Sequence, residues 1–107
     1  RAALFQEPYA QGPKTVGHFV LLSLRTGEDA AGRLGVVASR KVGNSVARSR
    51  AKRRMREWFR LHQYDLTGSE DVILVARRSI LNAPQPDLDA DLLDVFSRAA
   101  RLQTPSE

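Results

Sequence analysis

Residues 39 to 60, SRKVGNSVARSRAKRRMREWFR, carry two sets of side chains that no fold can place in the same environment. Ala47, Ala51, Met55, Trp58 and Phe59 recur at spacings of three and four, which predicts a helix over roughly Ser45 to His62 with one apolar stripe. Lys52, Arg53, Arg56 and Arg60 fall on the opposite side, with Arg48, Arg50 and Arg54 on the flanks. Such a helix must lie on a core with its charged side in water. Gly43 gives the backbone freedom to turn into it, and Asn44 or Ser45 can cap it by accepting from an orphan N–H.

The window holds nine of the seventeen Lys and Arg and one acid, Glu57, so it carries +8 while the remainder of the chain carries −3 of the overall +5. Like charges at Arg48/Lys52, Lys52/Arg56 and Arg56/Arg60 repel by about 0.2–0.5 kcal/mol per pair. Charge concentrated in this way, at that cost, predicts a docking surface for a polyphosphate.

The 107 residues, 42% of them hydrophobic, suffice for one core and predict a single domain over residues 1–107. No apolar run approaches a membrane span, and the N-terminus lacks the pattern of an export signal. A soluble, cytoplasmic protein with no membrane partner is expected. The absence of cysteine excludes disulfides and thiolate metal sites.

Around the basic helix, residues 1 to 12 contain Leu4, Phe5 and Tyr9 with Pro8 between, which allows a short helix. Residues 16 to 24 read as a strand, and 34 to 39 as a second strand. Their closeness in sequence predicts an antiparallel pair. Val72 to Ala76 is a continuous apolar run, suited to an interior strand, and completes a β-α-β unit with the strand at 34 to 39 and the basic helix. Pro84 and Pro86 break the chain before a final helix expected from Asp87, with Leu88, Leu92, Val95, Phe96 and Ala99 as its core stripe. The fold class is α+β, a small sheet with helices packed on it.

Chemistry-bearing constellations are sparse. Asp87, Asp89, Asp91 and Asp94 form the only dense acidic run, and stabilisation of a helix N-terminus explains them better than a metal site. His18 and His62 lack a spaced partner for general-base work. No catalytic residue and no protein-bound metal are assigned.

The basic segment closely resembles the signature of the bacterial ribonuclease P protein subunit, a pattern running roughly [S]-[RK]-K-[VI]-G-x-A-V-x-R-N-R-x-K-R-x-x-R. Ser39, Lys41, Val42, Gly43, Val46, Arg48, Arg50, Lys52, Arg53 and Arg56 match it without a gap. Ser45 stands where alanine is common, and Ser49 where asparagine is usual, which removes an amide. Phe5 with Gly12, the FVLLSL, RLGVVAS and VILVAR segments and the acidic start of the last helix follow the family's order.

The resemblance implies an αβββαβα sandwich with a four-stranded sheet and a left-handed β-α-β crossover, where general rules favour a right-handed one. It implies a ribonucleoprotein that removes the 5′ leader of precursor tRNA, with a large catalytic RNA and its Mg²⁺ performing the hydrolysis and a monomeric protein as accessory. On this basis Arg40, Lys41, Asn44, Arg48, Arg50, Lys52, Arg53, Arg56 and Arg60 are expected to contact the catalytic RNA. Phe5, Tyr9, Phe19 and Leu22 are expected to line a cleft for the single-stranded leader. Two other readings fit the composition: a structural RNA-binding protein of the ribosome, and a DNA-binding regulator, for which no helix-turn-helix is visible.

Overall fold

The computed structural model describes residues 14–25, 30, 32–68 and 70–102. Strands β1 (Lys14–Val16), β2 (Val20–Arg25) and β3 (Leu34–Val37) precede helix α1 (Ser45–His62), and strand β4 (Asp71–Ala76) precedes helix α2 (Gln85–Arg98). The 3₁₀ turns Gln63–Asp65 and Arg78–Asn82 lead into and out of β4. The helix expected within residues 1 to 12 lies outside the described residues.

The sheet order is β1-β2-β4-β3. β1 pairs with β2 and β2 with β4 antiparallel, whereas β3 pairs with β4 in parallel. The β-α-β unit is therefore present, and β4 is the interior strand its apolar run predicted. The expected antiparallel pair between the strands at 16 to 24 and 34 to 39 is overturned, because β4 lies between β2 and β3. A run buried on both faces competes better for the central position than either partner does for the other.

The run at 16 to 24 is also two strands instead of one. Gly17, His18 and Phe19 turn the chain, and Gly17 N–H donates to Val20 O at 2.8 Å. A Cβ on Gly17 would stand 2.6 Å from Asp91 Oδ2 and 2.7 Å from Val95 Cγ1, so only glycine lets the turn approach α2 this closely.

Period-two alternation assigns the two faces of the sheet. Val20, Leu22, Leu24, Val72, Leu74 and Ala76 share one core with Ala51, Met55 and Trp58 of α1 and Leu88, Leu92, Val95 and Phe96 of α2. Both helices thus cover the same face. Leu21, Ser23, Ile73, Val75, Gly35 and Val37, which alternate with the core residues in register, belong to the other face.

The expected start of the last helix at Asp87 shifts to Gln85, with Pro84 as the flanking residue and Pro86 inside the first turn. Proline is tolerated there because its missing N–H has no intrahelical partner to lose. At the other end, Ala100 has φ 58°, Arg101 N–H donates to Phe96 O at 2.9 Å, and Ala100 N–H donates to Ser97 O at 3.0 Å. This left-handed termination usually carries glycine. Among the described residues no helix is long and apolar enough to cross a membrane.

Candidate nucleic-acid interface

The entry to α1 is built from backbone bonds and one side-chain cap. Val42, almost fully buried, anchors a turn in which its N–H donates to Ser39 O at 3.0 Å, leaving Arg40 and Lys41 exposed beside the helix start. Gly43 follows with φ 151°. Asn44 Oδ1 then accepts from Ala47 N–H at 2.9 Å. Of the two expected caps Asn44 is the one used, so its side chain acts first in shaping the helix.

The helix divides as its periodicity predicts. Ala51, Met55 and Trp58 are buried, with Ala47 and Phe59 half-buried beside them. Arg50, Arg53, Arg56 and Arg60 are exposed, and Arg48 and Lys52 are half-exposed along one flank. These residues lie along a helix of about 27 Å, the length of eighteen helical residues, with Arg40 and Lys41 in the turn before its start. Arg60 is partly offset by Glu57, whose carboxylate receives Arg60 Nη2 at 2.5 Å and Nε at 3.2 Å. That hydrogen bonding, ahead of the Coulombic attraction, holds Glu57 below the usual carboxylate range and raises Arg60.

Arg54 points elsewhere. Its guanidinium donates to Ile80 O at 3.0 Å and Ala83 O at 2.7 Å, and reaches Gln85 Oε1 at 3.4 Å. It ties α1 to the segment entering α2. Burial, followed by the neighbouring Arg50, lowers its pKa, while Asp89 raises it. Spacing alone could not separate Arg54 from its neighbours, because its partners are carbonyls about thirty residues away.

Deeper in the same wall, Trp58 stacks on Phe96 with centroids 5.2 Å apart and on His62 at 4.2 Å, each at an interplanar angle of 14°. His62 Nδ1 lies 2.9 Å from Trp58 O. Trp58 Nε1 is buried and finds no acceptor among the described residues.

Of the four residues expected to line a leader cleft, Phe19 and Leu22 fall within the described residues. Phe5 and Tyr9 lie outside the described residues. Phe19 is half-buried and packs against the core. Leu22 is 0% exposed on the helix-covered face of β2, so it fills the core and cannot stack on a base. Its neighbour Leu21 belongs to the face that neither helix covers, with Val75 and Val37 beside it in register. Without the pairing register, the outward residue of a continuous apolar strand cannot be told from the inward one.

The acidic run in α2 is dispersed into separate contacts. Asp91 is buried and accepts from the N–H groups of His18 and Phe19, Asp94 pairs with Arg98 at 2.8 Å, and Asp89 accepts from Gln85 at 2.8 Å. Among the described residues no three acids or histidines converge as metal ligands. Asp71, at the start of β4, is likewise engaged by Arg25 at 2.8 Å and Arg33 at 2.9 Å.

The sequence profile of the Ribonuclease P family matches residues 1–100. The ribonuclease P protein component of Desulfosudis oleivorans is 31% identical over 103 residues, covering 96% of this chain and 84% of its own. That of Symbiobacterium thermophilum is 35% identical over 100 residues, covering 92% and 87%. Among solved structures, the Staphylococcus aureus RNase P protein superposes with a TM-score of 0.82 at 27% identity, over 96% of this chain and 94% of its own. The Thermotoga maritima RNase P protein, at 22% identity and a TM-score of 0.76 over 88% of this chain and 89% of its own, shares the fold.

Proposed function

Because the chain belongs to the ribonuclease P protein family, we propose that it is the protein subunit of a cytoplasmic ribonucleoprotein that removes the 5′ leader of precursor tRNA. The observation that carries the RNA-binding part is the outward face of α1. There Arg50, Arg53 and Arg56 stand exposed beside half-exposed Arg48 and Lys52, with Glu57 the only acid of the helix. Planar guanidinium groups suit phosphate oxygens and can also stack on bases. If about six phosphates are neutralised, affinity for RNA should fall with salt at a log–log slope near −4 to −5.

Hydrolysis of the phosphodiester belongs to the catalytic RNA and its Mg²⁺ in this reading. The acids Asp71, Asp91 and Asp94 are held in contacts within the fold, so the chain's part is to bind and orient. The leader site keeps Phe5 and Tyr9 from the family resemblance and takes its share of the sheet from Leu21, Val37 and Val75 in place of Leu22.

The test is cleavage of a 5′-extended precursor tRNA by a bacterial ribonuclease P RNA at low Mg²⁺, with and without this protein, and by the protein alone. Stimulated cleavage at the mature 5′ end with the protein alone inert is expected. Tight, salt-sensitive RNA binding without stimulation would move the chain to the structural RNA binders of the ribosome.

A further inference from the structure

Beside the cationic face, α1 and the first turns of α2 enclose a cleft of about 560 Å³, with Arg50, Arg53, Trp58, His62, Gln85 and Asp89 among its walls. That volume is within the range of small-ligand sites. Three features of the cleft go beyond general attraction to phosphate.

The first is a stack of rings. Phe96 is fully buried, Trp58 lies nearly parallel to it, and half-buried His62 lies nearly parallel to Trp58. His62 is oriented by the contact of Nδ1 with Trp58 O at 2.9 Å, so its ring is a fixed plane at the cleft wall. A further flat ring can continue the stack from there.

The second is an acceptor fixed amid the cations. Asp89 Oδ1 accepts from Gln85 Nε2 at 2.8 Å, and Gln85 Oε1 is held in turn by Arg54, itself pinned to Ile80 O and Ala83 O. Asp89 Oδ2 has no hydrogen-bond partner among the described residues. A carboxylate here repels phosphate, so a pure phosphate site would not place it in this cleft. It suits a ligand with hydrogen-bond donors on the edge of a flat ring. Guanine alone among the four RNA bases presents two adjacent donors, N1–H and the N2 amino group, to one carboxylate.

The third is the rim, where exposed Arg50 and Arg53 suit the phosphates on either side of such a base. We propose that this cleft receives an unstacked guanine nucleotide of single-stranded RNA, with the base on the His62 ring, its Watson–Crick edge on Asp89 and its phosphates on Arg50 and Arg53. The site rests on the RNA-binding reading of α1 and adds base recognition to it.

Trp58 is the only tryptophan in the chain and lines the cleft, so its fluorescence reports occupancy directly. The pentaribonucleotides UUGUU, UUAUU and UUUUU would be titrated into the full chain, with binding of ribonuclease P RNA measured in parallel. UUGUU should bind about tenfold more tightly than the other two and change the Trp58 emission. The variant Asp89→Asn, its fold checked by circular dichroism, should bring that preference below about twofold. Equal affinities for the three oligonucleotides, with the large RNA still bound, would overturn the guanine site alone. A preference that survives in Asp89→Asn would also overturn it. Loss of binding to the large RNA as well would remove the reading of α1 on which the site rests.

Discussion

Asp91, buried in the middle of α2, accepts hydrogen bonds from the backbone N–H groups of both His18 and Phe19 at 2.8 Å, joining positions 73 and 72 residues apart. Arg77 Nη1 donates to Gly17 O, Ser79 Oγ to His18 O and Arg98 Nη2 to Val16 O at 2.7 Å. The β1–β2 turn is thus held by side chains from both later segments of the fold.

Replacing Asp91 by alanine removes the one acceptor shared by two backbone donors at a part-buried site. A loss of about 3 kcal/mol is expected, since hydrogen bonds to a charged acceptor are each worth about 1.5–3 kcal/mol. Gly17→Ala should cost about 1–3 kcal/mol by driving a methyl group into Asp91 and Val95. Urea denaturation of the two variants beside the parent checks both values, and a midpoint shift near zero for either would contradict the contact.

Arg53 and Arg54 are adjacent in sequence and should behave oppositely. Arg53→Ala should leave the urea midpoint unchanged and flatten the salt dependence of RNA binding by about 0.7–0.9 in log–log slope, one phosphate contact's worth. Arg54→Ala should lower stability by about 1–2 kcal/mol, because Ala83 O loses its side-chain donor and Ile80 O keeps only the Ala83 N–H, while the salt slope holds.

Glu70 meets Arg101 at 2.6 Å, and its pKa is lowered first by hydrogen bonding to its own backbone and then by Arg101. A depressed folded-state pKa contributes stability above the unfolded value of about 4.3, and that contribution is lost as pH falls through the lower folded value. Glu70→Gln should therefore flatten the decline in stability on the acid side of about pH 4.3 relative to the parent. Melting temperatures taken across that range would read the difference.

Ala100→Gly should stabilise the protein by about 0.5–1 kcal/mol, since a residue with a Cβ holds φ 58° there at the end of α2. Thermal unfolding is a sufficient measurement, and a lowered melting temperature would show that the alanine methyl makes a compensating contact.

The basic helix was legible to its boundaries because its signal is local. The stripe from Ala51 to Trp58, the cap at Asn44 and the charges opposite all lie within one continuous segment. The interior strand was legible for a similar reason, as residues 72–76 are apolar without alternation. What escaped depends on partners distant in sequence. The turn at Gly17 looks like strand until Asp91 is placed beside it, Arg54 on the helix flank has no assigned role until Ile80 and Ala83 are, and Leu22 cannot be told from Leu21 until β4 fixes which face is the core. The acidic run illustrates the same limit, since composition reads four equivalent aspartates where the fold gives Asp91 a buried role and Asp94 an exposed one.

The central position of β4 gives the sheet an order of completion. β2 and β3 are made first, yet neither pairs with the other, and both depend on residues 71–76 for their shared edge. A chain growing from its N-terminus therefore exposes the complete cationic helix before the sheet beneath it can close. In that interval the apolar side of α1 lacks its floor while its arginines are already able to meet nucleic acid, so newly made chains face an RNA-rich surrounding in their least finished state.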